Sequence, residues 1–344
     1  MPSTFRPAGK PDVLTRAGAA AGTSAEPRRP STYTWTVSTL SVVVPATDGP
    51  TTLRRAVAAI GNAQLPPEEL IVVDRPRGLG PAAARNRGSQ QARGEILVFV
   101  DADVEVHEDV FVRIRSVFDR DPDLAAVFGS YDDDPDVPGV VSAFRNLLHH
   151  HVHQQGAGVA TTFWAGLGAI RRDVFEELGG FDEVRFSQPS VEDIELGSRL
   201  HASGRRVLLD PEIQGTHLKT WNLATMTKTD LLRRGVPWLR LMLEKRAGTG
   251  ALNLGWRHRL SAAASVVLVV ALIRRSHRWV LSTLALLLLV DRSFYGLLLR
   301  RRGLRLLVAG VPLHVIHRLT SVAAVPIALV AHAAETWKTR RVEP

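Results

Sequence analysis

The sequence contains no cysteine, so it can form neither a disulfide framework nor a metal site built from thiolates. It also lacks the apolar stretch that follows the first basic residues of a secretory signal, and we therefore expect the N-terminal part to stay in the cytoplasm. Residues 1–37 show no apolar periodicity and are rich in Pro, Ala, Ser, Thr and Arg, a composition typical of a disordered segment. At 344 residues the chain is long enough for one large domain or two.

Positive charge is unevenly distributed along the chain. The net charge is +9, but the segment from Trp256 to the end holds fourteen Lys or Arg against three Asp or Glu, so the rest is close to neutral. A basic excess can indicate binding to nucleic acid or to an anionic membrane surface. Here the excess lies in an apolar tail, which favours a membrane and argues against a nucleic-acid partner.

Strand and helix signals alternate from Leu40 onward. Short apolar runs predict the strands, and apolar residues at helical spacing predict the helices between them. The predicted strands are 41–44, 70–73, 96–100 and 124–128, and the predicted helices are 51–60, 82–92 and 110–118. Three β-α units in series indicate an α/β domain with a mostly parallel sheet and helices on both faces.

The third apolar run ends abruptly in Asp101-Ala102-Asp103. Five consecutive apolar residues of β-branched and aromatic type predict a strand that is buried on both faces. Ligands of open α/β sheets bind at the carboxyl ends of such strands, so Asp101 and Asp103 fall where chemistry is expected. Two carboxylates in this arrangement can hold a divalent cation that also binds a diphosphate. Further D-x-D pairs occur between residues 119 and 136, but only this one ends a buried strand.

Three other stretches carry candidate residues. After Asp74, a glycine-containing loop leads to a predicted helix start, where the free backbone amides and the charge of Arg85 could bind a phosphate. The alternative is an ordinary loop followed by a helix with a solvated basic face. A helix is predicted to start near Ser190. Either Ser190 caps this helix with Asp193 in its first turn, or Asp193 is a general base beside the cleft. Residues 162–170 resemble a strand, and the histidines at 149–153 predict a polar helix face more readily than a metal site.

The order of these motifs resembles that of the family 2 glycosyltransferases over about residues 41–238: VVVP, VD, AAARNRG, FVDAD, FWAGLGAIRR, GGFDE and VEDIELGSRL. The resemblance implies a GT-A fold, a nucleotide-sugar donor, Mg²⁺ or Mn²⁺ as the cofactor, and inversion at the anomeric carbon. Two stretches depart from the family pattern. Residues 75–77 replace the usual turn after the first acidic residue, and residues 233–238 match the signature of processive members only distantly, which favours transfer of a single sugar.

The matched motifs and their positions assign roles to individual residues. We expect Asp193 to be the catalytic base, Asp74, Arg85, Asp101 and Asp103 to bind the donor, and Asp103, Asp101 and His217 to bind the metal; Trp164, Gly166, Glu192, Arg234 and Trp238 are expected on the acceptor side. His217 follows a strand predicted for residues 207–209, and a purely structural role is its alternative.

The apolar tail predicts attachment to a membrane. We expect a catalytic domain at residues 38–220, an amphipathic interfacial segment at 221–256, and membrane helices with a basic tail at 257–344. The apolar stretches 260–273 and 279–290 are shorter than the roughly 20 residues of a full span, so two short spans and a hairpin within one leaflet both remain open. A catalytic domain on the cytoplasmic face of the cell membrane favours a lipid-linked or membrane-bound acceptor.

Other classes of function fit parts of the sequence. A nucleotidyltransferase shares the nucleotide-binding sheet but not the acidic helix start or the apolar tail. A non-catalytic membrane scaffold with a decayed transferase domain, and a processive polysaccharide synthase, are the alternatives to a single-sugar transferase. Donor turnover in variants of Asp103 and Asp193 distinguishes the scaffold from an enzyme.

Overall fold

The structure, a computed structural model, describes residues 38–245 and 255–342, with side chains up to residue 337. The disordered segment predicted for residues 1–37 lies outside the described residues. Residues 38–245 hold the sheet and its helices, and residues 255–342 hold three further helices.

Within the described residues, eight strands form one sheet. They are β1 (Leu40–Pro45), β2 (Glu69–Val73), β3 (Ile96–Val100), β4 (Val104–Val106), β5 (Leu124–Tyr131), β6 (Gly158–Ala160), β7 (Leu167–Arg171) and β8 (Arg206–His217). Their order is β2-β1-β3-β7-β5-β8-β4, with β6 paired to β8. The apolar β3 lies in the interior of this order, which explains why all its positions are buried.

The α/β class is confirmed, but the sheet is mixed rather than mostly parallel. β1 pairs in parallel with β2 and β3, and β5 with β8, whereas the other four pairings are antiparallel. β7 causes much of this difference, because it inserts antiparallel between β3 and β5. The strand predicted for residues 162–170 is only partly correct, since residues 161–166 form a loop before β7.

Helices cover both faces of the sheet. They are α1 (Leu53–Asn62), α2 (Pro81–Ser89), α3 (Val110–Arg120), α4 (Val140–Gln155), α5 (Arg172–Glu177), α6 (Glu192–Ala202) and α7 (Leu223–Lys228), followed by a π-helical turn (Thr229–Gly235) and α8 (Val236–Lys245). The side chains of Ile96 and Val98 pack with α1 and α3, whereas Leu97 and Phe99 pack with α2, α5 and α6. This alternation of a buried strand places one hydrophobic core on each side of the sheet.

The C-terminal helices are α9 (Trp256–Ile273), α10 (His277–Val290) and α11 (Arg292–Val342), which is broken at Gly303 (φ 71°). In the part of the chain that the structure describes, α9 and the part of α11 from Arg292 to Trp337 are long and apolar enough to cross a membrane, by length and composition. The helix α9 begins four residues before the apolar stretch predicted at 260–273, so with 18 residues it is longer than that stretch. Phe294, Leu298 and Leu313 of α11 pack against Phe144 of α4, which joins these helices to the sheet domain.

Candidate active site

The acidic turn after β3 lies against the end of β8. β3 is buried up to Val100, and Asp101 and Asp103 follow where the chain leaves the core. The next strand, β4, pairs antiparallel with β8 in a register that sets Val104 opposite His217. This register brings Oδ2 of Asp103 to 3.6 Å from Nε2 of His217. Two candidate metal ligands that are far apart in the sequence therefore meet at one edge of the sheet.

The surroundings of Asp103 favour its charged form. Burial alone raises the pKa of this carboxyl, but His217 and the Nζ of Lys219, 3.9 Å from Oδ2, bring the pKa below its usual value. The side chain remains 23% exposed. His217 is the last residue of β8, a strand longer than the one predicted for residues 207–209. An ionised, accessible carboxylate beside an imidazole has the chemistry of a metal site.

Arg85 joins the acidic turn to the helix that carries Asp193. It is buried on α2, where its Nη2 donates to Oδ1 of Asp101 at 2.6 Å and its Nη1 donates to Oε1 of Glu192 at 3.1 Å. The guanidinium also lies 5.5 Å from the centre of the Phe181 ring. A cation placed between two carboxylates compensates charges that would otherwise be highly unfavourable in a protein interior.

These contacts define the surroundings of three residues whose roles were predicted from the sequence. Arg85 is 4% exposed, so its helix does not present this residue on a solvated basic face; it contacts two carboxylates, and its donor-binding role stays a prediction. Glu192 is 5% exposed and pairs with Arg85, and its expected place on the acceptor side stays a prediction. Asp101 is ion-paired with Arg85, which leaves Asp103 as the carboxylate that faces His217.

Asp193 is the second residue of α6, and two backbone amides hold its carboxylate. Ile194 N donates to Oδ1 at 2.8 Å, and Ala165 N donates to Oδ2 at 3.3 Å. Burial and the neighbouring charge of Glu192 raise the pKa of Asp193 to about 6, although Arg85 acts in the opposite direction. A fixed carboxylate with a pKa near physiological pH has the properties of a general base.

Ser190 connects the start of α6 to the π-helical turn. The N-cap of α6 is Val191 and makes no side-chain cap, so the capping role predicted for Ser190 is wrong. The Ser190 hydroxyl instead donates to the carbonyl oxygen of Arg233 at 3.3 Å. Arg234 is exposed on the same turn, and Trp238 of α8 is half-buried against the core. π-Helical turns are frequent at functional sites, and the acceptor-side roles of Arg234 and Trp238 stay predictions.

Trp164 and Gly166 lie on the loop before β7. The carbonyl oxygen of Gly166 accepts a hydrogen bond from Asp101 N at 3.0 Å, so this loop borders the acidic turn. A Cβ at position 166 would lie 2.4 Å from the Trp164 ring, and therefore glycine is needed beneath the indole. The indole stands edge-on to Tyr131, with 5.0 Å between the ring centres. The loop thus places an aromatic side chain next to the acidic turn.

Asp74 follows the carboxyl end of β2, on the side of the sheet where β3 leads into the acidic turn. The parallel strands β1, β2 and β3 end on one side, and Asp74 follows β2 there. Its side chain is exposed. The position agrees with a donor-binding role, which stays a prediction for this residue.

The histidines of α4 are largely buried, so the expected polar helix face is wrong. The Nδ1 atoms of His150 and His153 lie 2.8 Å from the carbonyl oxygens of Tyr131 and Gly129, respectively. These contacts attach α4 to β5. These two histidines therefore take part in the packing of α4 against β5.

Residues 67–179 match the family described as glycosyl transferase family 2. The chain carries a family 2 glycosyltransferase domain. The match includes Asp74, Arg85 and the acidic turn of Asp101 and Asp103, and it ends before Asp193. The roles of residues beyond the match stay predictions.

Three known proteins are similar to the chain that contains this glycosyltransferase domain. The O-antigen biosynthesis protein RfbC of Myxococcus xanthus is 31% identical over 151 residues, which is 39% of this chain, and the chain spans only 12% of that protein. The mannosyltransferase PcManGT from Pyrobaculum calidifontis, solved with GDP-Man and Mn²⁺, is 17% identical with a TM-score of 0.47, over 85% of this chain and 87% of that one. GalNAc-T7, solved with UDP, GalNAc and Mn²⁺, is 16% identical with a TM-score of 0.43, over 67% and 52% of the two chains.

The candidate metal ligands of the glycosyltransferase domain suit a divalent cation that a substrate also binds. Among residues 38–245 and 255–342, no group of three or more His, Asp or Glu could hold a metal. Mg²⁺ is usually bound by one or two protein carboxylates together with substrate phosphates and water, and Mn²⁺ accepts the same ligands. The pair of Asp103 and His217 therefore suits an ion whose remaining ligands come from a diphosphate.

One buried charge cluster is not apparent from the sequence. Arg145 of α4 pairs with Asp230 of the π-helical turn at 2.8 Å, and Nδ1 of His317 in α11 lies 2.8 Å from the other oxygen of Asp230. Burial alone raises the pKa of Asp230, but these two neighbours lower it overall. The three residues connect the glycosyltransferase domain to α11. No local pattern distinguishes them from solvated charges, because each lies on a different element.

Proposed function

We propose that this chain transfers one sugar from a nucleotide-sugar donor to an acceptor hydroxyl, with inversion at the anomeric carbon. The observation that carries the proposal is the buried Arg85, which holds the acidic turn at Asp101 next to the helix start that carries Asp193. A donor-binding edge and a candidate base then belong to one site. The family 2 domain supports the class of reaction.

In the proposed reaction, Asp193 takes the proton from the acceptor hydroxyl while the oxygen attacks the anomeric carbon. The new C–O bond forms on the face opposite the donor phosphate, and the old C–O bond breaks with its electron pair passing to the nucleoside diphosphate. The amides of Ile194 and Ala165 hold the carboxylate in one orientation for this proton transfer. Asp103 and His217 would hold Mg²⁺ or Mn²⁺, which when bound neutralises charge on the leaving diphosphate.

Donor turnover tests this proposal. The full chain in detergent is incubated with UDP-, GDP- and dTDP-sugars with and without Mn²⁺, while nucleoside diphosphate release and the anomeric configuration of the product are followed. We expect Mn²⁺-dependent release from one nucleotide class with inversion. Asp193→Asn should lower the rate by about 10²–10⁴-fold and keep nucleotide binding, because only the base is lost. Asp103→Asn should weaken binding of the donor.

The second acidic pair of the sequence provides a matched control. Asp119 is exposed at the end of α3, away from the sheet edge, so Asp119→Asn should leave turnover unchanged. Unchanged turnover in Asp193→Asn would contradict the assigned base. Failure of every nucleotide to bind would support a non-catalytic scaffold, and a product with many added sugars would support a processive synthase.

We further propose that the C-terminal helices attach the enzyme to the cell membrane. Apolar side chains of α9 lie on the surface of the protein, including Leu272 and Ile273, which are 56% and 75% exposed. Arg274 and Arg275 follow directly, and basic residues at the end of an apolar helix can reach lipid phosphates. An exposed apolar surface next to a basic cluster is typical of a membrane-attached helix.

The position of α11 supports an acceptor in the same membrane, with the domain on the cytoplasmic face. Glu335 of α11 pairs with Arg240 of α8, and His317 contacts Asp230 of the π-helical turn. The same turn contacts Ser190 before the base-bearing helix. These contacts support an acceptor side next to the helices proposed to contact lipid. A lipid-linked or membrane-bound acceptor fits this arrangement.

Membrane attachment is tested by flotation of the full chain with vesicles that contain anionic lipid. We expect co-flotation that survives high salt, because apolar burial does not depend on screening. Replacement of Leu272 and Ile273 by Asp should reduce it, whereas replacement of the exposed Val184 by Asp, on the sheet domain, should not. Full release of the unaltered protein by salt alone would contradict insertion of α9.

A further inference from the structure

His217 is held by a side chain that the proposed reaction does not use. Asn146 of α4 is 2% exposed, and its Oδ1 lies 2.6 Å from Nδ1 of His217. An amide oxygen only accepts hydrogen bonds, so Nδ1 carries the proton. The Nδ2 of Asn146 is directed at the backbone oxygen of His217, at 3.5 Å. The one amide therefore contacts both the ring and the backbone of this histidine.

Tyr131 fixes the plane of the same ring. The two rings are stacked, with 4.2 Å between their centres and 10° between their planes. Because the Tyr131 ring restricts tilting and Asn146 holds one nitrogen, the opposite nitrogen has a defined direction. Nε2 of His217 points to Oδ2 of Asp103.

The separation between these two atoms suits a shared cation. At 3.6 Å, Nε2 of His217 and Oδ2 of Asp103 are too far apart for a good hydrogen bond. Two ligands that each lie about 2.1 Å from one ion at a right angle are about 3 Å apart, and wider angles increase the separation. A metal-bound imidazole is neutral, and with its proton on Nδ1 the ring would present the lone pair of Nε2 to an ion beside the carboxylate. A cation between them would bind both the Nε2 atom and the carboxylate oxygen.

We propose that Asn146 is a positioning residue that selects the Nδ1-protonated form of His217 and thereby makes Nε2 available as a metal ligand. The inference rests on the proposed function, which puts a divalent cation at Asp103. Ligating histidines generally donate their second N–H to an oxygen, and loss of that partner lowers metal affinity by about 10–100-fold. A purely structural role for Asn146 would instead change stability and leave metal affinity unaltered.

The test measures binding of Mn²⁺ alone to the full chain in detergent, by electron paramagnetic resonance. The variants are Asn146→Leu, Asn146→Ala, Asn146→Asp, His217→Ala, and His217→Ala combined with Asn146→Leu. The control is Gln154→Leu, because Gln154 is another α4 amide, and it donates at 3.3 Å to the carbonyl oxygen of Pro211. Asp103→Asn reports on the metal site itself.

We expect Asn146→Leu and Asn146→Ala to weaken Mn²⁺ binding about 10–100-fold, and Asn146→Asp to retain it, because a carboxylate also accepts the Nδ1 proton. The double variant should bind no more weakly than His217→Ala, and Gln154→Leu should match the unaltered protein. The alanine variant keeps the test available if the leucine variant does not fold.

Two contrary results have different meanings. Binding within twofold of the unaltered protein in Asn146→Ala, with binding lost in Asp103→Asn, would overturn the inference and leave the metal site of the proposed function intact. Equal Mn²⁺ binding by the unaltered protein and Asp103→Asn, or none by either, would overturn the metal site and the inference with it. An additional tenfold loss in the double variant would also overturn the inference, since Asn146 would then act independently of His217.

Discussion

Replacement of Arg85 by methionine tests the buried cation on which the arrangement of the site depends. Methionine keeps much of the side-chain volume but leaves Asp101 and Glu192 without their counter-charge. Removal of one partner from a buried ion pair destabilises a protein by about 3–5 kcal/mol. For a domain of this size, 1 kcal/mol corresponds to about 2–4 °C in Tm, so we expect a decrease of about 6–20 °C.

The same replacement should change the pH dependence of the reaction. Arg85 lowers the pKa of Asp193, which nevertheless stands at about 6 because burial and Glu192 raise it. Without Arg85 this pKa rises further, so the base becomes charged only at higher pH. The acid limb of the rate profile, expected near pH 6 in the unaltered protein, should therefore move to higher pH.

The assays are thermal unfolding in detergent and initial rates of nucleoside diphosphate release across pH. Arg206→Met is the matched control, because Arg206 forms an exposed pair with Asp121, and such pairs contribute about 0–1 kcal/mol. Arg85→Lys should rescue stability only in part, since an ammonium cannot bridge two carboxylates as the planar guanidinium does. A Tm within 2 °C of the unaltered protein together with an unmoved acid limb in Arg85→Met would refute the reasoning, where 2 °C is roughly the effect of 1 kcal/mol or less.

Three further outcomes are expected. The release rate should fall as the pH drops through about 6, where Asp193 takes up a proton, and the limb should be absent from Asp193→Asn; a limb with the same midpoint in that variant would assign it to another group. Asp230→Ala should lower the free energy of unfolding by about 3–5 kcal/mol, measured with urea, because its buried arginine partner loses its counter-charge; a change below 1 kcal/mol would contradict this. Gly88→Ala should destabilise the protein by about 1–3 kcal/mol, because the new Cβ would lie 2.3 Å from Cγ1 of Val43. Gly61→Ala, with open space around its Cβ, should be neutral or slightly stabilising. Equal Tm values for the two variants would refute the packing argument.

Local patterns predicted much of the sheet. The apolar run of β3 and the acidic residues after it were identifiable because strand burial and strand ends are set by neighbouring residues. The position of Asp74 at the end of β2 follows from the same kind of signal. The direction of β7 was not predictable, because its partners β3 and β5 lie about 40 to 70 residues earlier in the chain and an apolar run has no preferred direction of pairing.

The roles of single polar residues were harder to predict than the strands. A short motif indicates that Arg85, Glu192 and Asp193 belong to a site, but it does not tell which of them faces the substrate. The structure separates them: Arg85 and Glu192 are buried against each other, and Asp193 is only partly buried. Asn146 carries no motif, and its contact with His217 exists only because α4 packs across the end of β8.

Local sequence is enough to predict the α/β class, the acidic turn at the end of a buried strand and the apolar tail, because each is encoded by residues that are adjacent in the chain. Which side chains come into contact depends on the three-dimensional fold. Arg85 and Glu192 are 107 residues apart and Asn146 and His217 are 71 apart, so their contacts depend on how the helices cover the sheet. Packing of both cores and pairing of buried charges select that arrangement, and neither is a local property of the chain.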